Sequence, residues 1–461
     1  MAIYLMNRVC RPIGKMLLKV MYKPTLKNIE NIPKSGPVIL AGNHTNNYDC
    51  VLMFSCTKRP VRFMAKSELF HGWKKHFLNS YGAIPVHRNR KDANALSSAI
   101  EVLKSGGLIG IFPEGTINRT DDIIMPFKFG AVKMALEANA KIVPFSITGK
   151  YTKNGKITIC FGEAYNLESD DLVLENERLM EKEKTSSYRF FRSILMPLFN
   201  KHYKTIIIGK ENIPDSGPII VCGNHIHAFD QCLPISATKR MIHYMAKKEY
   251  FEGKNAWFFR ICGCIPVDRA NHGGNSKEVA MDVLNSGYAL GIYPEGTRNS
   301  LVSKEKNFNE AYEYLKDDIS KEEYYKIAKS NMVSVTQVDF LKQLLNDNRI
   351  TKEEFKESLY NTDSYLDKLV KEKKVTKKEY ESNLLLPFKF GTVSFASKSD
   401  ATLVPYGLYG KYERKGYVTS VIGKPFKVGD MTLEEANNKL YKEILKCMLE
   451  AKKIHKEKYN K

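Results

Sequence analysis

The chain has 461 residues, a length that accommodates two to four domains, each burying its own core. Its 43% apolar, 27% charged and 11% aromatic residues exclude wholesale disorder. The formal net charge of +21 points to an anionic partner, either nucleic acid or an anionic membrane surface.

Nucleic acid is disfavoured, because the sequence carries no RNA- or DNA-binding signature, no zinc-finger spacing and no continuous Lys/Arg tract. Nine cysteines without a framework read as reduced thiols in a cytosolic setting. No uninterrupted apolar run reaches the roughly 18 residues of a simple membrane span.

In chain order, the first segment mixes Arg8, Arg11, Lys15 and Lys19 with Ile13, Met16, Leu17, Leu18 and Met21. Those cations interrupt any signal-peptide core, and no small-residue cleavage site follows. Two readings stand side by side: an amphipathic helix on a membrane surface, or a helix packed on its own domain. Apolar runs then predict strands at 37–43, 61–66, 83–87, 108–112, 141–147 and 156–161. Ala95, Leu96, Ala99, Ile100 and Leu103 recur at helical spacing, predicting a helix over 92–104, and a second is expected over 129–137. Alternating strands and helices argue for an α/β domain with a largely parallel or mixed sheet flanked by helices. Chemistry should collect where loops leave the carboxyl ends of its strands.

One such loop, Gly42-Asn43-His44-Thr45-Asn46-Asn47-Tyr48-Asp49, returns as Gly223-Asn224-His225-Ile226-His227-Ala228-Phe229-Asp230. From Asn31 to Asp49, 11 of 19 positions match the residues 181 further on. The offset persists through Gly82-Ala83-Ile84-Pro85-Val86-His87-Arg88 and Gly263-Cys264-Ile265-Pro266-Val267-Asp268-Arg269, and through Pro113-Glu114-Gly115-Thr116 and Pro294-Glu295-Gly296-Thr297. It then jumps to 261, where Pro126-Phe127-Lys128-Phe129-Gly130 recurs as Pro387-Phe388-Lys389-Phe390-Gly391. The chain is therefore a tandem duplication. Its domains are expected at 1–173 and 174–461, the second interrupted at about 300–383 by an insertion of 80 residues.

The insertion differs in kind. With 16 basic and 17 acidic residues between Leu301 and Asn383, it contributes nothing to the positive excess. Ser320–Glu323, Thr351–Glu354 and Thr376–Glu379 have capping-box spacing, so a small helical module is expected. A lid or partner surface and a neutral decoration remain equal readings of its role, and it holds no candidate chemistry.

A histidine is well suited to take a proton from an alcohol near neutral pH, and a carboxylate can orient it. Five residues is too long for helical neighbours, so the histidine is expected in a loop and the aspartate one turn inside the following helix. No serine or cysteine recurs beside the pair, since Cys50 and Cys232 are off register. That leaves a dyad acting on a substrate hydroxyl without a covalent enzyme intermediate. A helix cap is the competing reading of each pair taken alone. The surrounding set weighs against it: Gly115 can let backbone N–H groups approach an anion, Arg88 can grip phosphate, and Lys128 adds a cation.

Both copies resemble the phospholipid/glycerol acyltransferase family, best known for its lysophosphatidic acid acyltransferases. Four ordered blocks carry the likeness in each copy: Asn-His-x4-Asp, Gly-x-Ile-Pro-Val-x-Arg, Phe/Tyr-Pro-Glu-Gly-Thr, and the Val-Pro of Val143-Pro144 and Val404-Pro405. The resemblance covers nearly all of the chain except the insertion. It implies that His44 and His225 act as general bases, supported by Asp49 and Asp230, on the free hydroxyl of lysophosphatidic acid, giving phosphatidic acid. The donor would be the thioester of acyl-CoA or acyl-carrier protein, with no bound cofactor and no metal. Arg88, Glu114, Gly115, Thr116 and Lys128, with Arg269, Glu295, Gly296, Thr297, Arg298 and Lys389, would form the acceptor sites.

Two departures stand out. Copy two has the family's arginine after Thr297, whereas copy one has Ile117, leaving Arg119 as a substitute. The family's serine two places after the histidine is replaced by Asn46 and His227. The expectation is a basic, peripheral enzyme of the cytoplasmic membrane face with two competent sites. One site acylating glycerol-3-phosphate or another lysolipid is the alternative, and a membrane-binding scaffold with a decayed copy is the reading from a different class.

Overall fold

The computed structural model describes residues 2–87, 92–119, 124–152, 157–253, 256–268, 276–413 and 416–459. The chain divides into two compact units, Met1–Phe191 and Arg192–Lys461. Their boundary falls inside the helix Leu172–His202.

In the first unit seven described strands form one sheet: β1 (Thr25–Lys27), β2 (Val38–Gly42), β3 (Val61–Lys66), β4 (Ile84–Val86), β5 (Leu108–Ile111), β6 (Lys141–Thr148) and β7 (Thr158–Phe161). Their order is β1-β7-β6-β2-β5-β3-β4, with only the β6–β7 pair antiparallel. β2 is central and every one of its five residues is buried, which is why it reads as a continuous apolar run. Ile39, Ala41 and Ile109 face one layer of core with Ala99, Leu103, Val132 and Ala135 from the helices Ala93–Lys104 and Gly130–Ala138. Val38, Leu40 and Leu108 face the other layer with Leu18, Leu52 and Met53.

The second unit repeats this plan with β8 (Ile206–Ile208), β9 (Ile219–Gly223), β10 (Ile242–Lys247), β11 (Ile265–Val267), β12 (Ala289–Ile292), β13 (Thr402–Gly410) and β14 (Val418–Ile422). The order β11-β10-β12-β9-β13-β14-β8 is the first sheet read backwards, copy for copy. Here β13 and β14 are the antiparallel pair. The α/β reading with a mixed sheet in each copy is the observed architecture.

The lead-in helix Ala2–Tyr22 packs by one face. Leu18 lies in the core, and the Arg11 guanidinium donates to the Phe54 carbonyl at 3.1 Å. Arg192 repeats that bond to Ile235 at 2.8 Å in the second unit. The other face of the first helix leaves Ile13, Met16, Leu17, Val20 and Met21 exposed.

Three capping boxes were expected in the insertion. Thr351–Glu354 and Thr376–Glu379 form both reciprocal bonds, and Ser320 accepts from the Glu323 amide. Three further helices, Glu305–Tyr312, Val335–Asn346 and Thr362–Lys371, complete the module around Phe308, Tyr324, Leu341, Leu344, Phe355 and Leu366. The module is welded to the C-terminal helix Leu433–Tyr459 of its own unit. Lys452 Nζ lies 2.8 Å from Asp363 and 2.9 Å from Asp367, while the Tyr409 hydroxyl donates to Asp363 at 2.8 Å.

Candidate active sites

Each histidine sits just past the carboxyl end of the central strand, where an asparagine fixes the chain. Asn43 donates to the Ile147 carbonyl at 2.9 Å and accepts from the Ile147 amide at 2.7 Å, bridging β2 to β6. Asn224 makes the same two bonds to Leu408, at 3.1 and 2.9 Å. With both amide ends engaged and the group buried, the residue that follows has its direction set.

His44 Nδ1 lies 2.9 Å from Asp49 Oδ2, and His225 Nδ1 lies 2.8 Å from Asp230 Oδ2. Oδ2 of Asp49 also accepts from the Thr45 and Asn46 amides at 2.6 and 2.8 Å, and that of Asp230 from Ile226 and His227 at 2.7 and 2.8 Å. Both aspartates are fully buried. Such a carboxylate only accepts, so Nδ1 donates to it and Nε2 is left with the lone pair. Each imidazole is stacked on an aromatic ring, His44 on Phe112 at 4.0 Å and His225 on Tyr293 at 3.8 Å, which fixes the plane in which Nε2 points.

The aspartate does not lie one turn inside a helix. Asp49 is the first residue of the helix Asp49–Cys56, and Asp230 precedes the helix Cys232–Ala237. The reason is local: the loop amides of the two residues after each histidine need an acceptor at the helix mouth, and the aspartate supplies it. The adjacent thiols stay protonated. Burial, helped by the neighbouring aspartate, pushes Cys50 and Cys232 up to about 12.

The third block packs beside the pair. Glu295 is turned inward, its Oε1 accepting from the His225 amide at 2.8 Å and its Oε2 from the Leu386 amide at 3.0 Å. Burial pushes its carboxyl up to about 8 against those two donors. Glu114 is buried at the corresponding place; the His44 and Met125 amides pull its affinity down, but burial dominates and raises it to about 7. Its oxygens stand outside hydrogen-bond geometry.

Gly115 and Gly296 follow at φ +75° and +69°, each with the side chain of a lysine folded over it. A Cβ at Gly115 would come within 2.8 Å of Lys128 Nζ, and one at Gly296 within 3.0 Å of Lys389 Nζ. The amides of the same lysines donate to the Pro113 and Pro294 carbonyls at 2.9 Å. Thr116 and Thr297 continue the turn, and half-buried Arg298 lowers the proton affinity of His227 together with Lys329, behind the larger effect of burial. Arg88 and Arg269 lie outside the described residues.

Three features of the site were not read from the sequence. Tyr151 donates its hydroxyl to Asp49 Oδ1 at 2.7 Å, and Tyr412 stacks on His227 at 4.4 Å. The Asn118 and Asn299 amides both donate to the carbonyl of their unit's histidine at 2.7 Å. The recurrence of Gly149-Lys150-Tyr151 as Gly410-Lys411-Tyr412 was the available signal for the first two.

The arrangement offers, twice, an oriented base whose Nε2 is left with the lone pair, with a lysine-covered glycine turn in the neighbouring block. The chain is also similar to known proteins. The family model described as Acyltransferase matches residues 23–148 and 204–409. The 1-acyl-sn-glycerol-3-phosphate acyltransferase of Bacillus subtilis is 30% identical over 165 residues, covering 34% of this chain and 81% of the relative. That of Borreliella burgdorferi is 36% identical over 147 residues, covering 31% of this chain and 58% of the relative. The solved structure of the 1-acyl-sn-glycerophosphate (LPA) acyltransferase PlsC from Thermotoga maritima aligns at 24% identity over 38% of this chain and 75% of its own, with a TM-score of 0.33.

Proposed function

The chain belongs to the acyltransferase family, and from that footing we propose that both units acylate the free hydroxyl of lysophosphatidic acid to give phosphatidic acid, drawing on acyl-carrier protein or acyl-CoA. The observation that supports this most directly is the twice-built base: Nδ1 held by a buried carboxylate at 2.9 and 2.8 Å, with Nε2 left to accept a proton.

In this reading the acceptor hydroxyl gives its proton to Nε2 of His44 or His225 as its oxygen attacks the thioester carbonyl carbon. A C–O bond forms, the tetrahedral intermediate collapses, and the C–S bond breaks. The departing thiolate takes the proton back from the imidazolium, which Asp49 or Asp230 has stabilised meanwhile. The base contributes about 10²–10⁴-fold, and holding the two substrates in register supplies much of the rest. Lys128 and Lys389, folded over Gly115 and Gly296, attract the acceptor phosphate, with Arg298 as a further cation in the second unit.

The second unit differs where the acceptor would lie. It has Arg298 in place of Ile117 and His227 in place of Asn46. These differences favour, as a second reading, a distinct acceptor there, glycerol-3-phosphate or another lysolipid. Attachment to an anionic membrane surface fits the exposed apolar face of the lead-in helix beside Arg11, Lys15 and Lys19. No described helix is long and apolar enough to cross a membrane.

The test is product analysis from a panel of acceptors and both donors with His44→Ala, His225→Ala and the double variant. Each single variant retains part of the acyl transfer and the double variant loses it. Full transfer by the double variant would sink the dyad assignment, and identical acceptor profiles for the two single variants would remove the second reading.

A further inference from the structure

The inserted module grips both loops that hold the second dyad. The first grip is Asn299. Its backbone amide donates to the His225 carbonyl at 2.7 Å. Its buried side chain reaches the other way, donating to Thr336 Oγ1 at 3.0 Å and to the Leu384 carbonyl at 3.1 Å, and accepting from the Thr336 amide at 3.3 Å. One residue thus touches the histidine's peptide unit, the start of a module helix and the point where the module ends.

The second grip flanks Tyr412, the ring that stacks on His227 at 4.4 Å. On one side Lys411 Nζ donates to Asn331 Oδ1 at 2.7 Å; on the other, Ser330 Oγ donates to Glu413 at 2.8 Å. Ser330 and Asn331 end the module helix Lys321–Ser330, so the last turn of that helix straddles the tyrosine from both neighbours. Lys329, in the same turn, is close enough to lower the proton affinity of His227. The module is itself fixed to the unit by the Asp363–Lys452 pair, its lysine buried, so it is an anchored body rather than a tethered one.

The first unit carries its dyad without such a module. Its chain runs from Thr116 to Pro126 without an insertion, and Tyr151 bonds Asp49 directly at 2.7 Å. In the second unit Tyr412 also faces Asp230, which adds to the larger effect of burial in raising the proton affinity of its hydroxyl. To that contact the second unit adds the module's two grips, one on the His225 loop and one on the loop of Tyr412.

We propose that the inserted module is the positioning element of the second site, acting on His225 through Asn299 and on Tyr412 through Ser330 and Asn331. Asn299, Thr336, Ser330 and Asn331 are positioning residues that touch neither substrate. The inference rests on the reading of His225 as the base, and it deepens that reading by assigning the 80 extra residues a task in the same reaction.

The test uses the full chain carrying His44→Ala, so that turnover reports on the second unit. Asn299→Ala cuts the first grip; Ser330→Ala with Lys411→Met cuts the second at the surface, where folding is not at stake. Expected in both is a fall in kcat of about 10- to 100-fold, the range a small misplacement of a reacting group produces, with the acceptor KM within about twofold. Amide hydrogen exchange over residues 224–232 should speed up while the melting temperature of the surface variant stays put. Unchanged exchange over 224–232 in both variants overturns the inference, whatever the activity. Faster exchange in a chain where His225→Ala has no effect on acyl transfer would support the positioning and refute the base.

Discussion

Glu183, fully buried on the helix Leu172–His202, is a like-charge neighbour of the buried Glu114. Burial first, and Glu114 second, push its carboxyl well above the usual range, against a smaller opposing pull from Lys184. Glu114 is itself raised to about 7 by burial, with Asp49 adding to the rise and the Met125 and His44 amides opposing it. The second unit has Ile444 at the place of Glu183, so the pairing belongs to the first unit alone.

A raised carboxyl binds more protons in the folded than in the unfolded chain. The stability it confers is complete below the unfolded value, near 4.5, and fades as pH climbs through about 7 for Glu114 and beyond for Glu183. Glu183→Gln should therefore raise the melting midpoint of the first unit at pH 8, by about 2–4 °C for each kcal/mol relieved, and change little at pH 4. Calorimetry at the two pH values decides it; an equal shift at both would exclude the proton-linked origin.

Alanine at the glycine turns is a second prediction. Gly115 and Gly296 hold φ of +75° and +69°, and a Cβ there meets the lysine amine at 2.8 and 3.0 Å. The change should lift the lysine off the turn and strain the backbone by about 1–2 kcal/mol. Acceptor KM should rise about 5- to 30-fold if that cost is felt in binding, with the donor KM unmoved. An unchanged acceptor KM in both Gly115→Ala and Gly296→Ala would take the turn out of phosphate binding.

Membrane attachment yields a third. Val20 is 73% exposed on the lead-in helix, close in sequence to Leu17 at 51%. Replacing both with glutamate should cut sedimentation with anionic vesicles sharply at 0.1 M salt, while leaving the fold intact. Raising the salt to 0.5 M should weaken the parent chain as well, since each basic residue near the surface is worth about 1 kcal/mol at physiological ionic strength. Equal binding by the glutamate variant and its parent would assign attachment elsewhere.

The strands were legible where burial is two-sided. Val61–Lys66 coincides with the expected 61–66, and β2 and β5 fall within a residue of the expected runs. Three-residue β1 and β8 were not among the expected strands, whereas the equally short edge strand β4 lies within the expected 83–87. In the module, Ser334-Val335-Thr336-Gln337 carries the same capping signal with glutamine in the third place, and Ser334 caps Val335–Asn346. The first and third blocks announced each His–Asp pair and the glutamate packed beside it, whereas the second ends on Arg88 and Arg269, outside the described residues. The blocks could not announce Asn299 or Tyr412, whose partners lie 37 and 185 positions away in the sequence and become neighbours only once the sheet and the module have formed.

Arg59 draws together the Pro33, Gly36 and Gly106 carbonyls at 2.8, 2.6 and 2.9 Å, and Arg240 draws together Pro214, Gly217 and Gly287 at 2.8, 2.6 and 3.0 Å. These bonds brace the amino ends of the central strands, the opposite pole from the histidines. That pole has been copied almost bond for bond, while the other has changed Phe112 to Tyr293, Asn46 to His227 and a nine-residue connection into a folded module. Frame and workshop thus sit at separate ends of each sheet. Substitutions at one end leave the other's bonding untouched, and a duplicated gene product of this design is free to divide its labour without renegotiating its architecture.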